Sequence, residues 1–507
     1  MGIKNASLNL IKKVWFRISA ALILSLILVM SVSKNYPTQK IENNAPLTTF
    51  TAHLDERIPI LMKAYYIPGV NIALVKGGKT VWANAYGYAD VETGRKMTLD
   101  TPLRVQSISK SVTAWGVMKL VEQGKIALDC PVQRYIRNWG FPESEFSDEK
   151  VTVRQLLSHT AGLPLGDFYN FFSPDEDIPS LEESLSNEAV LLHEPGSSFS
   201  YSNTGFNLLE LLIEEVTGRD FAEYMQQEIL NPLGMRNSSF TWSEEFDPPV
   251  PVGYKLSGEA VPVYVYPEKG SGGLFATVED IAAFVTAGMT EFSQVPQVLD
   301  ARSIHQLYTP QVNQLGVYSL VFDGYGLGHY LENLSNGKQA VSHGGQGTGW
   351  MTHFHAVPET GDGIVILTNS QRSWPFIAYI LSDWATWSGF SSVGMGQIII
   401  GRKMLWGFIG LIWVIVFWQV WRLGEDLIYR KREFEPRSKE SLLFRLAQGS
   451  VSFILIASLW WCINQDYLFI TSVFPITSCW LGVSVFAFAV ALLLSVLFSI
   501  NLQIIRL

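Results

Sequence analysis

Four long apolar runs constrain the fold of this 507-residue chain more than any other feature of its sequence. The first run covers residues 16 to 33, and three more follow at 404 to 421, 446 to 463 and 478 to 500. A helix needs about 20 apolar residues to cross the hydrocarbon core of a bilayer, and each run is close to that length. We therefore predict one N-terminal and three C-terminal transmembrane helices, with the lipid bilayer as a partner.

The rest of the chain has the composition of a globular protein. Charged residues make up only 16% of the sequence, and the deficit is concentrated in the four runs. We divide the chain into an N-terminal membrane anchor or signal peptide (1–34), an extracytoplasmic domain (35–402) and a membrane domain with three helices (403–507). The net charge of −9, without a basic stripe in the globular part, argues against nucleic acid as a partner.

Lysine and arginine in short loops mark the cytoplasmic side of a membrane protein. Basic residues precede the first apolar run, and six more lie in the loop 424–445, whereas the connection 464–477 has none. Both the N-terminus and the loop 424–445 are therefore expected in the cytoplasm, and the domain 35–402 outside. Arg402 and Lys403 would then lie on the outer side, which counts mildly against this orientation.

The first apolar run has two interpretations. Its basic lead and the small residues near its end also fit a cleaved signal peptide, while its length slightly favours a retained anchor. Either interpretation exports the globular domain, and the three later helices hold it at the cell membrane as a multi-pass protein.

Within the globular part, Ser107 and Lys110 form one of four Ser-x-x-Lys matches in the chain. This match differs from the others because an apolar pattern of helical spacing follows it, over residues 108 to 123. Lys110 would share a helix face with Ser107 and could take its proton if burial lowered the lysine pKa. The alternative is an ordinary helix cap followed by a solvated lysine.

A second segment contains Tyr201 and Asn203 in a short loop before an amphipathic helical pattern at 204 to 217. A tyrosine near a lysine would ionise more easily and could act as a base and an acid. An asparagine amide could hold a substrate carbonyl and the lysine. The alternative is a packed tyrosine and a capping asparagine.

A third segment, residues 340 to 369, predicts a strand ending in glycines followed by a pair of strands. Its glycines, Gly344 and Gly345, would let a substrate approach the backbone closely. His343 is as consistent with a structural role as with a functional one. His353 and His355 alternate on the neighbouring strand, and we interpret both as packing residues.

Together these segments resemble the serine β-lactamase and penicillin-binding-protein superfamily, and most closely its branch of class C β-lactamases, D,D-carboxypeptidases and esterases. The resemblance runs from about residue 50 to 390. Further segments that carry it are "IPGVNIALVKGGKTVWANAYGYADVETGRKMT" (67–98), "VTVRQLLSHTAGLP" (151–164), "NPLGM" (231–235) and "GSGGLFATVEDIAAF" (270–284).

The resemblance implies roles for single residues. Ser107 matches the acylated nucleophile, Lys110 its proton acceptor and Tyr201 the general base and acid. The matches to substrate-binding positions are Asn203, His343, Gly344, Gly345 and Gln346. The backbone N–H groups of Ser107 and Gln346 would form the oxyanion hole. No metal and no organic cofactor are implied.

The third motif departs from the β-lactamase pattern. His343 stands where β-lactamases usually have lysine, and Gly344 replaces a hydroxyl residue that binds the substrate carboxylate. Hydrogen bonds to charged groups contribute about 1.5–3 kcal/mol each, so these changes should weaken penicillin recognition. We therefore expect a peptide or ester substrate rather than efficient β-lactamase activity, with a D-amino-acid cell-wall peptide as one candidate.

The fold that the resemblance implies is α+β: an antiparallel sheet flanked by helices, a mainly helical subdomain inserted between its strands, and added membrane helices. The preferred function is a membrane-bound serine hydrolase acting through an acyl-enzyme. A sensor or binding protein with a slow or inactive hydrolase-like domain is the alternative, because three helices exceed what an anchor needs. A transporter is disfavoured, since the last helices contain almost no ionisable residues.

Overall fold

The computed structural model describes residues 2–33, 41–167, 171–292, 298–390, 392–436, 442–465 and 468–500. They fall into two compact units, one within residues 38–397 and one formed by residues of 1–37 and 398–507. The helices are α1 (Gly2–Val32), α2 (Leu47–Tyr65), α3 (Ile108–Glu122), α4 (Val153–Leu157), α5 (Leu181–Glu188), α6 (Asn203–Thr217), α7 (Phe221–Met225), α8 (Val278–Ala287), α9 (Ala301–Leu307), α10 (Trp374–Trp387), α11 (Gln397–Ile428), α12 (Leu442–Ile463), α13 (Phe469–Val473) and α14 (Pro475–Leu497).

The larger unit is built around an eight-stranded antiparallel sheet with the strand order β3-β2-β1-β12-β11-β10-β9-β8. Three further pairs, β4–β7, β5–β6 and β13–β14, form small separate sheets. The strands are β1 (Gly69–Lys76), β2 (Lys79–Asp90), β3 (Arg95–Lys96), β4 (Leu103–Arg104), β5 (Gly253–Tyr254), β6 (Ala260–Val261), β7 (Phe275–Ala276), β8 (Gly324–Tyr325), β9 (Tyr330–Asn333), β10 (Gln339–Gly347), β11 (Trp350–Val357), β12 (Asp362–Thr368), β13 (Arg432–Phe434) and β14 (Phe498–Ile500).

The central strands of the large sheet are covered on both faces. Every residue of β11 and β12 is buried, and successive side chains of a strand point to opposite faces. Phe354 on β11 packs against Phe284 of α8, while the next residue, His355, packs against Trp384 of α10. The apolar runs of these strands are therefore explained by helices on either side, and His355 is buried as the sequence indicated.

Helix α3 is the central helix of the larger unit. Its buried residues include Val112, Trp115 and Val117, and they surround the helix instead of forming one stripe. A helix that is apolar all round is a core helix. Helices α3 to α9 lie between β4 and β8 in the chain, so the predicted α+β fold, with its sheet and inserted helical part, is confirmed.

The second unit contains helices α1 and α11 to α14. Polar contacts join its helices: Ser25 Oγ donates to the Gly410 carbonyl at 2.7 Å, and Ser452 Oγ to the Ala489 carbonyl at 2.8 Å. Many large apolar side chains, such as Phe453, are exposed on this unit. Such surfaces are typical of helices surrounded by lipid.

Within the residues that the structure describes, four helices are long and apolar enough to cross a membrane, as the four apolar runs predicted: Val14–Val32, Gly394–Ile428, Leu442–Ile463 and Pro475–Leu497. One boundary differs from the sequence prediction. The last run was expected to continue to residue 500, but Phe498–Ile500 forms β14 and pairs with Arg432–Phe434. The predicted domain limits at residues 34 and 402 remain predictions.

Candidate active site

Ser107 lies at the junction between β4 and α3, where Gln106 adopts a left-handed backbone with φ of 53°. The Ser107 side chain makes no capping hydrogen bond to α3. The segment is tied to the large sheet, because Thr352 Oγ1 donates to the Val105 carbonyl at 2.7 Å. Ser107 therefore occupies the N-cap position of α3, but its side chain does not cap the helix, and its hydroxyl is available for another partner.

Lys110 lies one helical turn after Ser107 and is 0% exposed. Its Nζ is 3.2 Å from Ser107 Oγ, 2.7 Å from Asn203 Oδ1 and 2.8 Å from the carbonyl oxygen of Ser271. The centroid of the Tyr201 ring is 5.0 Å away. Because burial penalises the charged form, the pKa of Lys110 falls well below its ordinary value of 10.5.

A neutral amine fits these contacts. It has two N–H donors and one lone pair. Asn203 Oδ1 and the Ser271 carbonyl can only accept hydrogen bonds, so they take the two N–H groups. The lone pair then faces the Ser107 hydroxyl. The interpretation of Lys110 as a solvated lysine is therefore wrong, and Ser107 has a proton acceptor within hydrogen-bond reach.

The loop that carries Tyr201 and Asn203 is held by Ser202 and His159. Ser202 Oγ caps α6 by accepting a backbone N–H at 3.0 Å, and the Ser202 N–H donates to His159 Nδ1 at 3.1 Å. His159 is buried and has a left-handed φ of 56°. Sequence analysis gave His159 no role, although it lies in the segment 151–164 that carried the family resemblance.

The protonation of Tyr201 differs from the sequence expectation. Burial raises the pKa of its phenol above the ordinary value of 10, while a hydrogen bond with the Ser107 hydroxyl acts in the opposite direction. The expectation that a neighbouring lysine would make Tyr201 ionise more easily is wrong, because burial raises the pKa of the phenol by more than the hydrogen bond with Ser107 lowers it. Tyr201 therefore contributes a neutral phenol, which can both donate and accept a hydrogen bond.

His343 is 0% exposed on β10. Its Nε2 lies 3.2 Å from the Tyr325 hydroxyl, and its Nδ1 lies 2.8 Å from the Gly344 carbonyl. Burial, and then the proximity of Lys110, lower the pKa of His343 well below 6.5, so the ring is neutral. An Nδ1–H that donates to Gly344 leaves Nε2 to accept from Tyr325.

The glycines of β10 allow other segments of the protein to pack closely against this strand. A Cβ added to Gly345 would lie 2.2 Å from the Val105 carbonyl oxygen, and one added to Gly344 would lie 2.6 Å from the Trp374 ring. Sequence analysis expected this space to serve the substrate, whereas Gly345 admits the segment that carries Ser107. The predicted substrate contacts of Gly344 and Gly345 remain predictions.

A cleft of about 380 Å³, which includes space open to solvent, lies beside these residues. Its lining includes Ser107, Asn203, Ser271 and Gln346, but not His343, Gly344 or Gly345. The Gln346 side chain is fixed because its Oε1 accepts from Trp374 Nε1 at 2.7 Å. The structure therefore brings Ser107, Asn203 and Gln346 to one cleft. Lys110 contacts Ser107 and Asn203 from its buried position next to the Tyr201 ring, and neither Lys110 nor Tyr201 is among the described residues of the lining.

Glu210 is a further residue that sequence reasoning missed. Its Oε2 accepts the backbone N–H groups of Lys269 and Gly270, both at 2.6 Å, and so fixes the loop that presents the Ser271 carbonyl to Lys110. Burial raises the pKa of Glu210 to about 8. The segment 270–284, which carried the family resemblance, includes part of this loop, but its sequence did not indicate that Glu210 on α6 would bind the loop.

Comparisons with known proteins agree with the fold of the unit that contains this cleft. The family model described as "Beta-lactamase" matches residues 54–379, which is more than half of the chain. The protein named "Protein flp" from Staphylococcus aureus is 24% identical over 411 residues, covering 77% of this chain and 79% of that protein. The "Esterase EstB" from Burkholderia gladioli is 30% identical over 208 residues, covering 39% of this chain and 53% of the esterase.

Among solved structures, the octameric penicillin-binding protein homologue from Pyrococcus abyssi is similar, with a TM-score of 0.61 and 29% sequence identity. The match covers 70% of this chain and 81% of that one. The similarity therefore extends over the unit that holds the cleft.

Proposed function

Since this chain belongs to the beta-lactamase family, we propose that it is a membrane-bound serine hydrolase that acts through an acyl-enzyme on peptide or ester substrates. The observation that carries the proposal is the fully buried amine of Lys110, which lies 3.2 Å from the Ser107 hydroxyl and whose pKa is lowered by burial. A serine hydroxyl is a weak nucleophile until a neighbouring base accepts its proton. A buried lysine with a lowered pKa is such a base at neutral pH.

In the acylation step, Ser107 Oγ attacks the substrate carbonyl carbon and its proton moves to Lys110 Nζ. The developing oxyanion accepts hydrogen bonds from the backbone N–H groups of Ser107 and Gln346. The N–H of Ser107 is suited to this task, because the first N–H groups of a helix have no acceptor within it. Asn203, whose Oδ1 is occupied by Lys110, can offer its amide N–H₂ to the substrate.

The leaving group departs with a proton from the Tyr201 hydroxyl, and the Lys110 ammonium returns a proton to that tyrosine. Water then attacks the acyl carbon, loses a proton to the same pair, and Ser107 leaves with its hydroxyl restored. The neutral phenol of Tyr201 supports this assignment as a donor. The bonds formed and broken balance without a metal or an organic cofactor.

Two observations support the substrate class and the location. The relatives include a protein named as an esterase and a penicillin-binding protein homologue, so ester and peptide bonds are both candidates, a cell-wall peptide among them. His343 is enclosed and neutral, so it offers no fixed cation to a penicillin carboxylate. The four long apolar helices support attachment to the cell membrane. The basic residues near the N-terminus and in the loop 424–445 support a position of the catalytic unit outside the cell.

The proposal is tested by covalent labelling of membranes that contain the full chain. A fluorescent fluorophosphonate and a fluorescent penicillin are applied to the wild type, to Ser107→Ala and to Ser147→Ala. Ser147 is a matched control because it is exposed and begins another Ser-x-x-Lys sequence. We expect fluorophosphonate labelling of the wild type and of Ser147→Ala, and none of Ser107→Ala.

The penicillin probe separates the substrate classes. Labelling by the fluorophosphonate alone supports an esterase or a peptidase that does not bind the penicillin carboxylate. Labelling by both probes supports a cell-wall peptidase. If neither probe labels the folded wild type, the hydrolase proposal fails and a sensor or binding protein becomes the better description.

A further inference from the structure

One wall of the cleft is acidic. Asp167, Glu188 and Glu268 all line it, and no lysine or arginine is among the described residues of the lining. The three carboxylates interact electrostatically, since Glu188 and Asp167 each help to raise the pKa of Glu268. In the part of the chain that the structure describes, no group of three or more acidic, His or Cys side chains is arranged to hold a metal ion.

The two glutamates are fixed and lack a cationic partner. Glu268 is 6% exposed and accepts a hydrogen bond from Ser184 Oγ. Glu188 Oε1 accepts the Asp167 N–H at 3.3 Å, and its Oε2 lies 3.4 Å from Thr204 Oγ1. Among the described residues, neither glutamate forms an ion pair. Burial raises the pKa of Glu268 to about 7 and also raises that of Glu188, as expected for carboxylates without a compensating cation.

Asn207 supplies an independent observation on the same wall. It lies on α6 one turn after Asn203, lines the cleft and is 3% exposed. Its Oδ1 is buried and has no hydrogen-bond partner within the described chain. Buried acceptors without partners cost free energy and are rare, so this oxygen indicates a donor that a ligand would bring.

The acidic wall therefore contains four acceptor groups: the buried carboxylate of Glu268, the half-buried carboxylate of Glu188, the carboxylate of Asp167 and the side-chain carbonyl oxygen of Asn207. A group with several N–H donors and a positive charge matches all of them, and a primary ammonium is the simplest such group. We propose that the hydrolase takes substrates that carry a primary ammonium group, which is bound by Glu188, Glu268 and Asn207. This inference rests on the proposed function, because the ammonium would be selected at the cleft where Ser107 reacts.

The same wall disfavours anionic substrates. Like charges repel and opposite charges attract, and the interaction is strong where water is partly excluded. A substrate with a carboxylate in this part of the cleft would face three acidic groups, whereas an ammonium would relieve their mutual repulsion. The enclosed position of His343 and the glycine at 344 act in the same direction, since neither offers a cation.

The test uses three series of fluorophosphonates that share one reactive group and differ only in the end of a tail of two to five methylene groups. The tails end in a primary ammonium, an uncharged acetamide or a carboxylate. The second-order rate of Ser107 labelling is measured on the full chain in membranes. We expect the best ammonium probe to react at least about tenfold faster than its acetamide partner, since hydrogen bonds to charged groups contribute about 1.5–3 kcal/mol. The carboxylate probes should be slowest.

Two variants locate the selectivity. Glu268→Gln keeps the acceptor for Ser184 and removes the charge, and Asn207→Leu removes the unpaired oxygen. In both variants, the ratio of the ammonium rate to the acetamide rate should fall at least about fivefold. An acetamide rate close to that of the wild type shows that the site is still folded. Glu194→Gln is the matched control, because Glu194 is an exposed carboxylate paired with Lys150 and is not in the lining.

The outcomes distinguish this inference from the proposed function. If no probe labels Ser107, the hydrolase proposal fails and this inference fails with it. If ammonium and acetamide probes react equally in the wild type, the hydrolase proposal stands and the ammonium inference is overturned. It is also overturned if the ammonium preference persists in both Glu268→Gln and Asn207→Leu.

Discussion

Lys110 has no contact with water, and its amine faces a serine hydroxyl, an asparagine oxygen and a backbone carbonyl. None of these partners carries a charge that would favour an ammonium. A lysine with a depressed pKa gains a lone pair at pH values where an ordinary lysine is protonated. The chemistry of Ser107 therefore depends on the desolvation of a single side chain.

The pH dependence of acylation follows from this state. Lys110 accepts the Ser107 proton when it is neutral, so the labelling rate should fall as the pH drops through the lowered pKa and should be level above it. The plateau should be reached well below pH 10.5. Lys110→Arg keeps the positive charge but cannot lose its proton, so the variant has no general base at this position. Because general base catalysis contributes about 10²–10⁴-fold, we expect the labelling rate to fall by about that factor. The measurement is the rate of fluorophosphonate labelling against pH for both proteins.

Other titratable groups near Lys110 can be separated from it. His159 and His343 both interact with Lys110, and burial lowers the pKa of each well below 6.5. Burial raises the pKa of Glu210 to about 8 and that of Glu268 to about 7, so these two carboxyl groups also titrate above pH 6.5. A limb above pH 6.5 that persists in both Glu210→Gln and Glu268→Gln would therefore belong to Lys110. A rate that keeps rising up to pH 10.5, or an arginine variant that reacts at the wild-type rate, would contradict the assignment.

Single residues differ in how far the sequence could reveal them. Ser107 and Lys110 were predicted because a helical pattern follows one match and not the others. Glu188 was given no role from the sequence because it ends an acidic stretch, 173–188, and such runs of charge are usually solvated. Glu182 and Glu183 are indeed exposed there, but the last turn of α5 brings Glu188 to the cleft. Which carboxylate of such a stretch is buried depends on tertiary packing, and spacing alone does not encode it.

At the scale of elements, β10 and the turn before α3 are packed backbone to backbone. A Cβ added to Gly345 would lie 2.2 Å from the Val105 carbonyl oxygen, and one added to Gly347 would lie 2.4 Å from the side chain of Gln106. Glycine has no Cβ, so it permits this close approach. The pair β11–β12 and a preceding strand that ends in glycines were predicted from the sequence, whereas the pairing of β10 with β11 was not. The contact of the β10 glycines with the Val105 segment depends on long-range packing, and these glycines were interpreted instead as space for a substrate.

Gly345→Ala should damage both stability and acylation. The added methyl group would lie 2.2 Å from the Val105 carbonyl oxygen and from Thr352 Oγ1, so the backbone that carries Ser107 must move. Overpacking of this kind costs about 1–3 kcal/mol. We expect a lower midpoint of thermal unfolding and a slower rate of Ser107 labelling, measured on the same membrane preparation.

Gly140→Ala is the matched control for this substitution. Gly140 has no atom within 4 Å of an added Cβ, and its φ is not positive. Its substitution should leave both measurements close to wild type. If Gly345→Ala behaved like Gly140→Ala, the close packing of β10 against the Val105 segment would not be what positions Ser107.

At the scale of the whole molecule, the distribution of charge and apolar surface constrains the orientation in a membrane. The apolar helices were predictable because their length is set by the bilayer, while the boundary at Leu497 was not, since β14 forms by pairing with a distant strand. Basic residues near the N-terminus and in the loop 424–445 favour the cytoplasm for both. The hydrolase unit would then face outward, where cell-wall peptides and exogenous esters are encountered.

Cysteine accessibility tests this orientation. The chain has three cysteines, Cys130, Cys462 and Cys479, which are first replaced by serine. Ser257→Cys then places a thiol in an exposed turn of the hydrolase unit, and Glu433→Cys places one on exposed β13 in the basic loop. An impermeant maleimide should label Ser257→Cys in intact bacterial cells and Glu433→Cys only after the membrane is permeabilised. The reverse pattern would put the cleft in the cytoplasm. Equal labelling of both in intact cells would place the basic loop and the hydrolase unit on the same outer side. The chain would then have to cross the membrane an even number of times between them. This result would contradict a single crossing by α11.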